Sequence, residues 1–330
     1  MRRPVAARAS LAALAGFGLL LSACSAEGAP SGASPSAGGI NVVASTNVYG
    51  DIAKAIGGDK VNVTAIINKT SQDPHSYEAT AQDRLVVSKA SLVIENGGGY
   101  DGFVRTLADE SNIPHSNIVS AVEVSGLEPE DEASESAGAE ASEPADGQGH
   151  ADEHGEFNEH VWYSMDAMGK LADAVAAKLG EAEPGSAATF EANAATFKSG
   201  LDGLTGKLAA MSAAEAGAPV AVTEPVPLYL LEAAGLENKT PEDYTAAIEE
   251  GTDVPPAVLK AATDLAGSKD LTFLAYNLQT EGPQTEALKK AAEAAGVPVV
   301  DFSETLPEGK TYLQWMTDNV QNISKALEKK

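Results

Sequence analysis

The chain has 330 residues, 43% of them hydrophobic, which is enough apolar material for two ordinary domains with real cores. Its formal charge of −26 excludes nucleic acid as a natural partner, because phosphate binding needs a basic stripe. So acidic a surface suits cations instead.

The N-terminus reads as a secretory signal. Arg2, Arg3 and Arg8 precede a short apolar run from Leu11 to Leu21, too short for a stable spanning helix, and LSAC follows. The only cysteine, Cys24, falls directly after the small residues. This pattern resembles the bacterial lipobox, in which the signal (here residues 1–23) is cut before the cysteine and the sulfur is lipidated. It predicts an extracytoplasmic protein held to the cell membrane through Cys24, with no disulfide within the chain. Residues 24–39, rich in Ser, Gly, Ala and Pro, predict a flexible tether.

The folded part begins at Ile40. INVVAST (40–46), VNVTAII (61–67) and SLVIENG (91–97) are β-branched runs, with helix-compatible segments near 49–57 and 79–89 between them. Buried strands alternating with helices predict a parallel α/β sheet. Residues 128–159 then hold twelve acidic residues, His150 and His154, and no Lys or Arg, a composition that predicts an acidic loop without a packed core. A helix is predicted over 165–179 and a longer one over 186–214. APVAVT (218–223), LTFLAYN (271–277) and VPVVDF (297–302) predict further strands, and TYLQWMTDNVQNISKALEKK a closing helix. The reading is two α/β lobes joined by one long helix: 40–180 with the acidic loop, the link at 181–216, and 217–330.

Four residues carry candidate chemistry. His75 lies past the second strand, and His160 lies where the acidic loop gives way to a helix. Glu224 follows a strand directly, and Glu304 lies just beyond another. Ligands of open α/β sheets collect at such carboxyl edges, and two facing lobes would bring four of them to one cleft. Two imidazoles and two carboxylates suit a first-row divalent cation. Asp301 is also near, and position alone does not separate it from Glu304. Asp73 could orient a ligand imidazole or cap a helix. Trp162 and Tyr163 would wall the site. Gly97, Gly98 and Gly99 lack the rest of a phosphate loop.

DPHSYEAT around His75, NEHVWYS around His160, TEPVPLYL around Glu224, AAIEEGTDVPPAVL at 246–259 and FSETLP around Glu304 occur in that order. Together they resemble the substrate-binding proteins of bacterial zinc and manganese ABC transporters (the cluster A-I family). The resemblance implies two α/β lobes on a rigid linking helix, with the metal in the interlobe cleft. It implies the ligands His75, His160, Glu224 and Glu304, with Asp301 as the runner-up for the fourth place. It implies no enzyme activity, a permease and its ATPase as partners, and a monomer that delivers metal to them. Zn²⁺ is the expected cargo and Mn²⁺ the alternative. Glu224 stands where zinc members usually have a third histidine, and the acidic loop points the other way. The rivals from other classes are a metallohydrolase, which would need an open coordination position and a base and shows no HExxH, and an adhesin. Because histidine must lose its proton to bind metal, affinity is expected to fall as pH drops toward 6.

Overall fold

The structure, a computed structural model, describes residues 38–128 and 157–328. The signal, the tether up to residue 37 with Cys24, and the part of the acidic loop that carries His150 and His154 lie outside the described residues.

The first sheet holds β1 (Ile40–Thr46), β2 (Val61–Ile67), β3 (Leu92–Glu95) and β4 (Ile118–Ser120) in the order β2-β1-β3-β4. The second holds β5 (Ala218–Val222), β6 (Leu236–Asn238), β7 (Phe273–Asn277) and β8 (Val299–Phe302) in the order β6-β5-β7-β8. All pairings are parallel, so both halves wind the same way. Every residue of β3 and β7 is buried, as expected for parallel strands covered by helices on both faces. The short strands β4 and β6 escape a sequence reading because three residues give no periodicity to count.

Between β1 and β2 runs α1 (Asn47–Gly57), and α2 (Ala81–Val87) begins at a capping box formed by Thr80 and Asp83. Next come α3 (Gly102–Glu110), α4 (Ala121–Ser125) and α5 (Met165–Ala182). The 29-residue α6 (Ala187–Glu215) follows, about 43 Å long at helical rise. It buries Phe190, Ala194, Phe197, Leu201, Leu204 and Leu208, spaced by alternating fours and threes along one stripe. Its glycines do not break it. A Cβ at Gly200 would come within 2.7 Å of Leu313, so this glycine admits the closing helix to the backbone of α6. The second half adds α7 (Leu228–Ala233), α8 (Glu242–Glu249), α9 (Pro256–Ala266), α10 (Pro283–Ala295) and α11 (Tyr312–Leu327).

One hydrophobic cluster joins Val42, Ile94 and Trp162 to Phe197 and Leu204 of α6, and then to Val220, Phe273 and Trp315. The two sheets thus share a core along the linking helix. Polar ties reinforce it across the lobes. Asn47 Nδ2 donates to the Leu306 carbonyl at 2.8 Å while the Leu306 amide donates back to Asn47 Oδ1 at 2.9 Å. The Tyr163 hydroxyl donates to the Ser303 carbonyl at 2.8 Å, and that of Tyr312 to the Trp162 carbonyl at 2.6 Å. Among the described residues no helix is long and apolar enough to cross a membrane.

Candidate metal centre

The order of both sheets reverses beside their first strands, between β1 and β3 and between β5 and β7. The crevice outside the carboxyl ends of such neighbours is where a ligand fits. Glu95 ends β3 and Asn277 ends β7, and Glu224 lies two residues beyond β5.

His75 sits on the loop after β2, in a turn closed by Asp73. Asp73 Oδ1 accepts from the His75 amide at 2.9 Å and Oδ2 from the Ser76 hydroxyl at 2.8 Å. Asp73 therefore caps this turn and not a helix; α2 takes Thr80 as its cap. The His75 side chain remains 24% exposed.

His160 is buried at the start of a 3₁₀ turn, Val161–Tyr163. Three contacts fix its tautomer. Asn158 Nδ2 donates to the Pro225 carbonyl at 3.1 Å, which leaves Oδ1 as the acceptor end of that amide. Oδ1 then accepts from Nδ1 of His160 at 2.8 Å and from its backbone amide at 3.1 Å. Nδ1 carries the proton, and Nε2 offers its lone pair to a cation. The glycine turn after β3 makes room for this segment. Gly98 has φ +64°, and a Cβ there would meet Glu159 and Phe157 at 3.2 Å. Asn96 Nδ2 holds the Glu159 carbonyl at 3.0 Å.

The carboxylates come from the second lobe. Glu304 lies on the loop after β8, its amide donating to Gln279 Oε1 at 2.7 Å and the Thr305 amide to the same oxygen at 2.8 Å. Gln279 also reaches the other lobe, where Nε2 donates to the Gln72 carbonyl at 3.3 Å. Glu224 accepts from the Asn277 side-chain amide and from the Thr280 hydroxyl at 2.6 Å. Asn277 Nδ2 also lies 2.8 Å from Glu304 Oε1, so one amide stands between the two carboxylates.

The ligand atoms of His75, His160 and Glu304 lie within 4.8 Å of one another. Glu224 stands one step back from these three and joins them through Asn277. Asp301 does not join: it is exposed within β8, since the alternation of the strand turns it away from the face that leads to Glu304. Trp162 does wall the site, with its ring 5.1 Å from that of His160, while Tyr163 ties the lobes.

Burial without a buried counter-charge decides the electrostatics. It pushes the Glu304 carboxyl up to about 8, with Glu224 adding to the rise and Asn277 opposing it. It pushes Glu224 up to about 7 against the hydrogen bonds of Asn277 and Thr280. The same burial holds His160 well below the ordinary imidazole range, with His75 adding to the fall, and lowers His75 against the attraction of Asp73. Both histidines are thus neutral donors near pH 7. The protons that compete with a cation sit on the carboxylates. Protonation of Glu224 and Glu304 would lower affinity in the same direction as the expected protonation of the histidines, starting at higher pH.

Tyr100, Asn277 and Gln279 escaped the sequence reading. Tyr100 packs edge-on to His75 at 4.8 Å between ring centroids, and its hydroxyl donates to Glu304 Oε2 at 3.1 Å. Its only sequence signal is its place directly after the glycine turn. Asn277 and Gln279 gave none, because an amide near a strand end is ordinary in a loop.

The donor set fits a divalent transition ion: two neutral imidazoles and two carboxylates from both lobes, with His160, Glu224 and Glu304 buried and His75 at the exposed edge. The comparisons agree. Residues 42–326 match the family described as zinc-uptake complex component A, periplasmic (ZnuA), and the chain belongs to it. The manganese ABC transporter substrate-binding lipoprotein scaA of Streptococcus gordonii is 27% identical over 328 residues, covering 94% of this chain and 95% of its own. The iron ABC transporter substrate-binding lipoprotein MtsA of Streptococcus pyogenes serotype M1 is 23% identical over 337 residues, with 94% and 95% covered. The fold matches that of the periplasmic zinc binding protein TroA of Treponema pallidum, with a TM-score of 0.68 at 20% identity over 88% of this chain and 99% of that one. These relatives are transport receptors, and the chain is a binding protein of that class rather than an enzyme.

Proposed function

We propose that this chain captures a divalent first-row transition-metal ion outside the cytoplasmic membrane and delivers it to an ABC permease driven by its ATPase. The ion is cargo. His75, His160, Glu224 and Glu304 are its ligands, and Cys24 is the lipid anchor of a monomer. The observation that carries the reading is the convergence of two imidazoles and Glu304 within 4.8 Å, with Glu224 joined to Glu304 through Asn277.

Two cargoes were expected, Zn²⁺ first and Mn²⁺ second. Raw affinity in any such site follows the order that places zinc above manganese. The donors favour the second reading for transport. Two carboxylates in place of a third imidazole supply oxygen, and each can bind through both oxygens to raise the coordination number beyond the four that zinc takes. The relatives scaA and MtsA are named for manganese and iron. A hydrolase is disfavoured because four protein ligands leave little room for a nucleophilic water.

Competitive titration with Zn²⁺ and Mn²⁺ of the wild type, His75→Ala and Glu224→His tests the proposal. One equivalent of each metal is expected for the wild type, weakened in His75→Ala. Glu224→His should shift the balance toward zinc. Stoichiometric binding of neither metal would end the receptor reading.

A further inference from the structure

Beside the buried donors lies a second set. His75, Glu159 and Glu249 present ligand atoms within 4.8 Å of one another. His75 Nδ1 lies 3.7 Å from Glu159 Oε1, and Glu249 Oε1 lies 3.7 Å from Nδ1 of His160. This set also straddles the lobes: Glu159 precedes His160 in the first, and Glu249 ends α8 in the second. It is built in place, since the Glu159 carbonyl is held by Asn96 and its Cβ packs over Gly98.

The two sets differ in depth. The side chains of His75, Glu159 and Glu249 are 24%, 12% and 19% exposed. His160, Glu224 and Glu304 are 1%, 3% and 2% exposed. His75 is common to both.

We propose that His75, Glu159 and Glu249 form an outer, transient cation site, from which the ion passes to the buried donors without leaving His75. The proposal rests on the receptor reading above. The physical reason is desolvation. A hydrated dication cannot enter a buried site in one step without losing most of its shell at once. Three partly exposed donors replace some of its waters and leave the remaining positions to solvent. One shared ligand then lets inner carboxylates replace outer ones singly.

The rival account is that Glu159 and Glu249 only orient the two imidazoles. The accounts differ in kinetics. Removing a stepping stone slows loading and release together and leaves the equilibrium nearly fixed. Removing an orienting partner weakens the equilibrium through faster release.

Stopped-flow measurement on the full-length chain tests this, with Mn²⁺ and Zn²⁺ alone as probes and the fluorescence of Trp162, beside His160, as the signal. In E159Q/E249Q, association and dissociation should each slow by about tenfold, with Kd changed by less than about threefold. A Kd weakened in step with faster dissociation, at unchanged association, overturns the relay. In E224Q/E304Q a single weak equivalent should persist and vanish when E249Q is added. Loss of all binding already in E224Q/E304Q overturns it too. If the wild type binds neither ion, the receptor reading fails and the relay falls with it. Slow kinetics at unchanged Kd cannot arise from that failure, so the two are distinguishable.

Discussion

Tyr100 of the first lobe donates a 3.1 Å hydrogen bond to Glu304 of the second, across 204 positions of sequence. The same ring packs edge-on to His75. One tyrosine therefore touches a donor from each lobe, and it links the state of the carboxylate to the placement of the imidazole.

Tyr100→Phe keeps the ring and removes the hydroxyl. Hydrogen bonds to a charged group are worth about 1.5–3 kcal/mol, so metal affinity should weaken by about ten- to a hundredfold. Isothermal titration of the variant checks this. Unchanged affinity would mean that the hydroxyl serves only packing.

Asn277→Ala removes the amide between Glu224 and Glu304. Loss of a partner that orients ligating carboxylates typically costs about 10–100-fold in metal affinity. The bond between Thr280 and Glu224 remains, so the variant should still fold. Circular dichroism with the same titration separates lost binding from lost structure.

Without added metal, stability should fall as pH rises from about 6.5 to 8. Glu224 and Glu304, raised to about 7 and about 8, hold protons in the folded chain that they lose near their ordinary pKa when unfolded. Their contribution is full below the unfolded value and is lost as pH rises through the folded one. The lowered pKa values of His75 and His160 act with the opposite sign, but only below their unfolded value of 6.5. In the stated window Glu224 and Glu304 act together with Glu95, which burial also raises to about 7, for a loss of about 1–2 kcal/mol from the site pair. Denaturant melts in chelator, taken across that range, measure it; E224Q/E304Q should reduce the slope and leave the part due to Glu95.

Metal binding should release protons from the same groups. Affinity should therefore rise with pH up to about 8, where Glu304 loses its proton, by at most about tenfold per unit for each proton displaced. Titration in buffers of different ionisation enthalpy counts the protons. A profile that is flat above pH 6.5 would return control to the histidines.

Phe197 of α6 lies in the core that the two lobes share. Phe197→Ala should cost about 3–5 kcal/mol and lower a single unfolding transition, with no separate transition for either lobe. Differential scanning calorimetry reads both features.

The alternation of β-branched runs with helices revealed the α/β class and six of the eight strands among the described residues, because those runs are long enough to show a pattern. β4 and β6 were too short. The long helix over 187–215 was legible despite its glycines, although the role of Gly200 needs the neighbour Leu313 that only the fold supplies. The four proposed ligands, His75, His160, Glu224 and Glu304, were picked out by their places at strand ends and by their motifs, and the fold brings three of them, His75, His160 and Glu304, together. Asp301 could be separated from Glu304 only once the fold left Asp301 exposed on β8 and buried Glu304 on the loop beyond it. Tyr100 and Gln279 stayed invisible because their meaning lies in partners from the other lobe, and Asn277 because it bridges Glu224 and Glu304, which stand far from each other in sequence. The protonation of the carboxylates was hidden for the same reason: sequence gives the acid but not its burial.

The most direct test of the account is a metal titration of the wild type beside His160→Ala. His160 is the buried imidazole whose tautomer Asn158 fixes, with the proton on Nδ1 and the lone pair on Nε2. The account predicts one equivalent of tightly bound Mn²⁺ or Zn²⁺ in the wild type, and affinity at least about a hundredfold weaker in the variant, with its fold intact by circular dichroism. Equal affinity in the two proteins would contradict it.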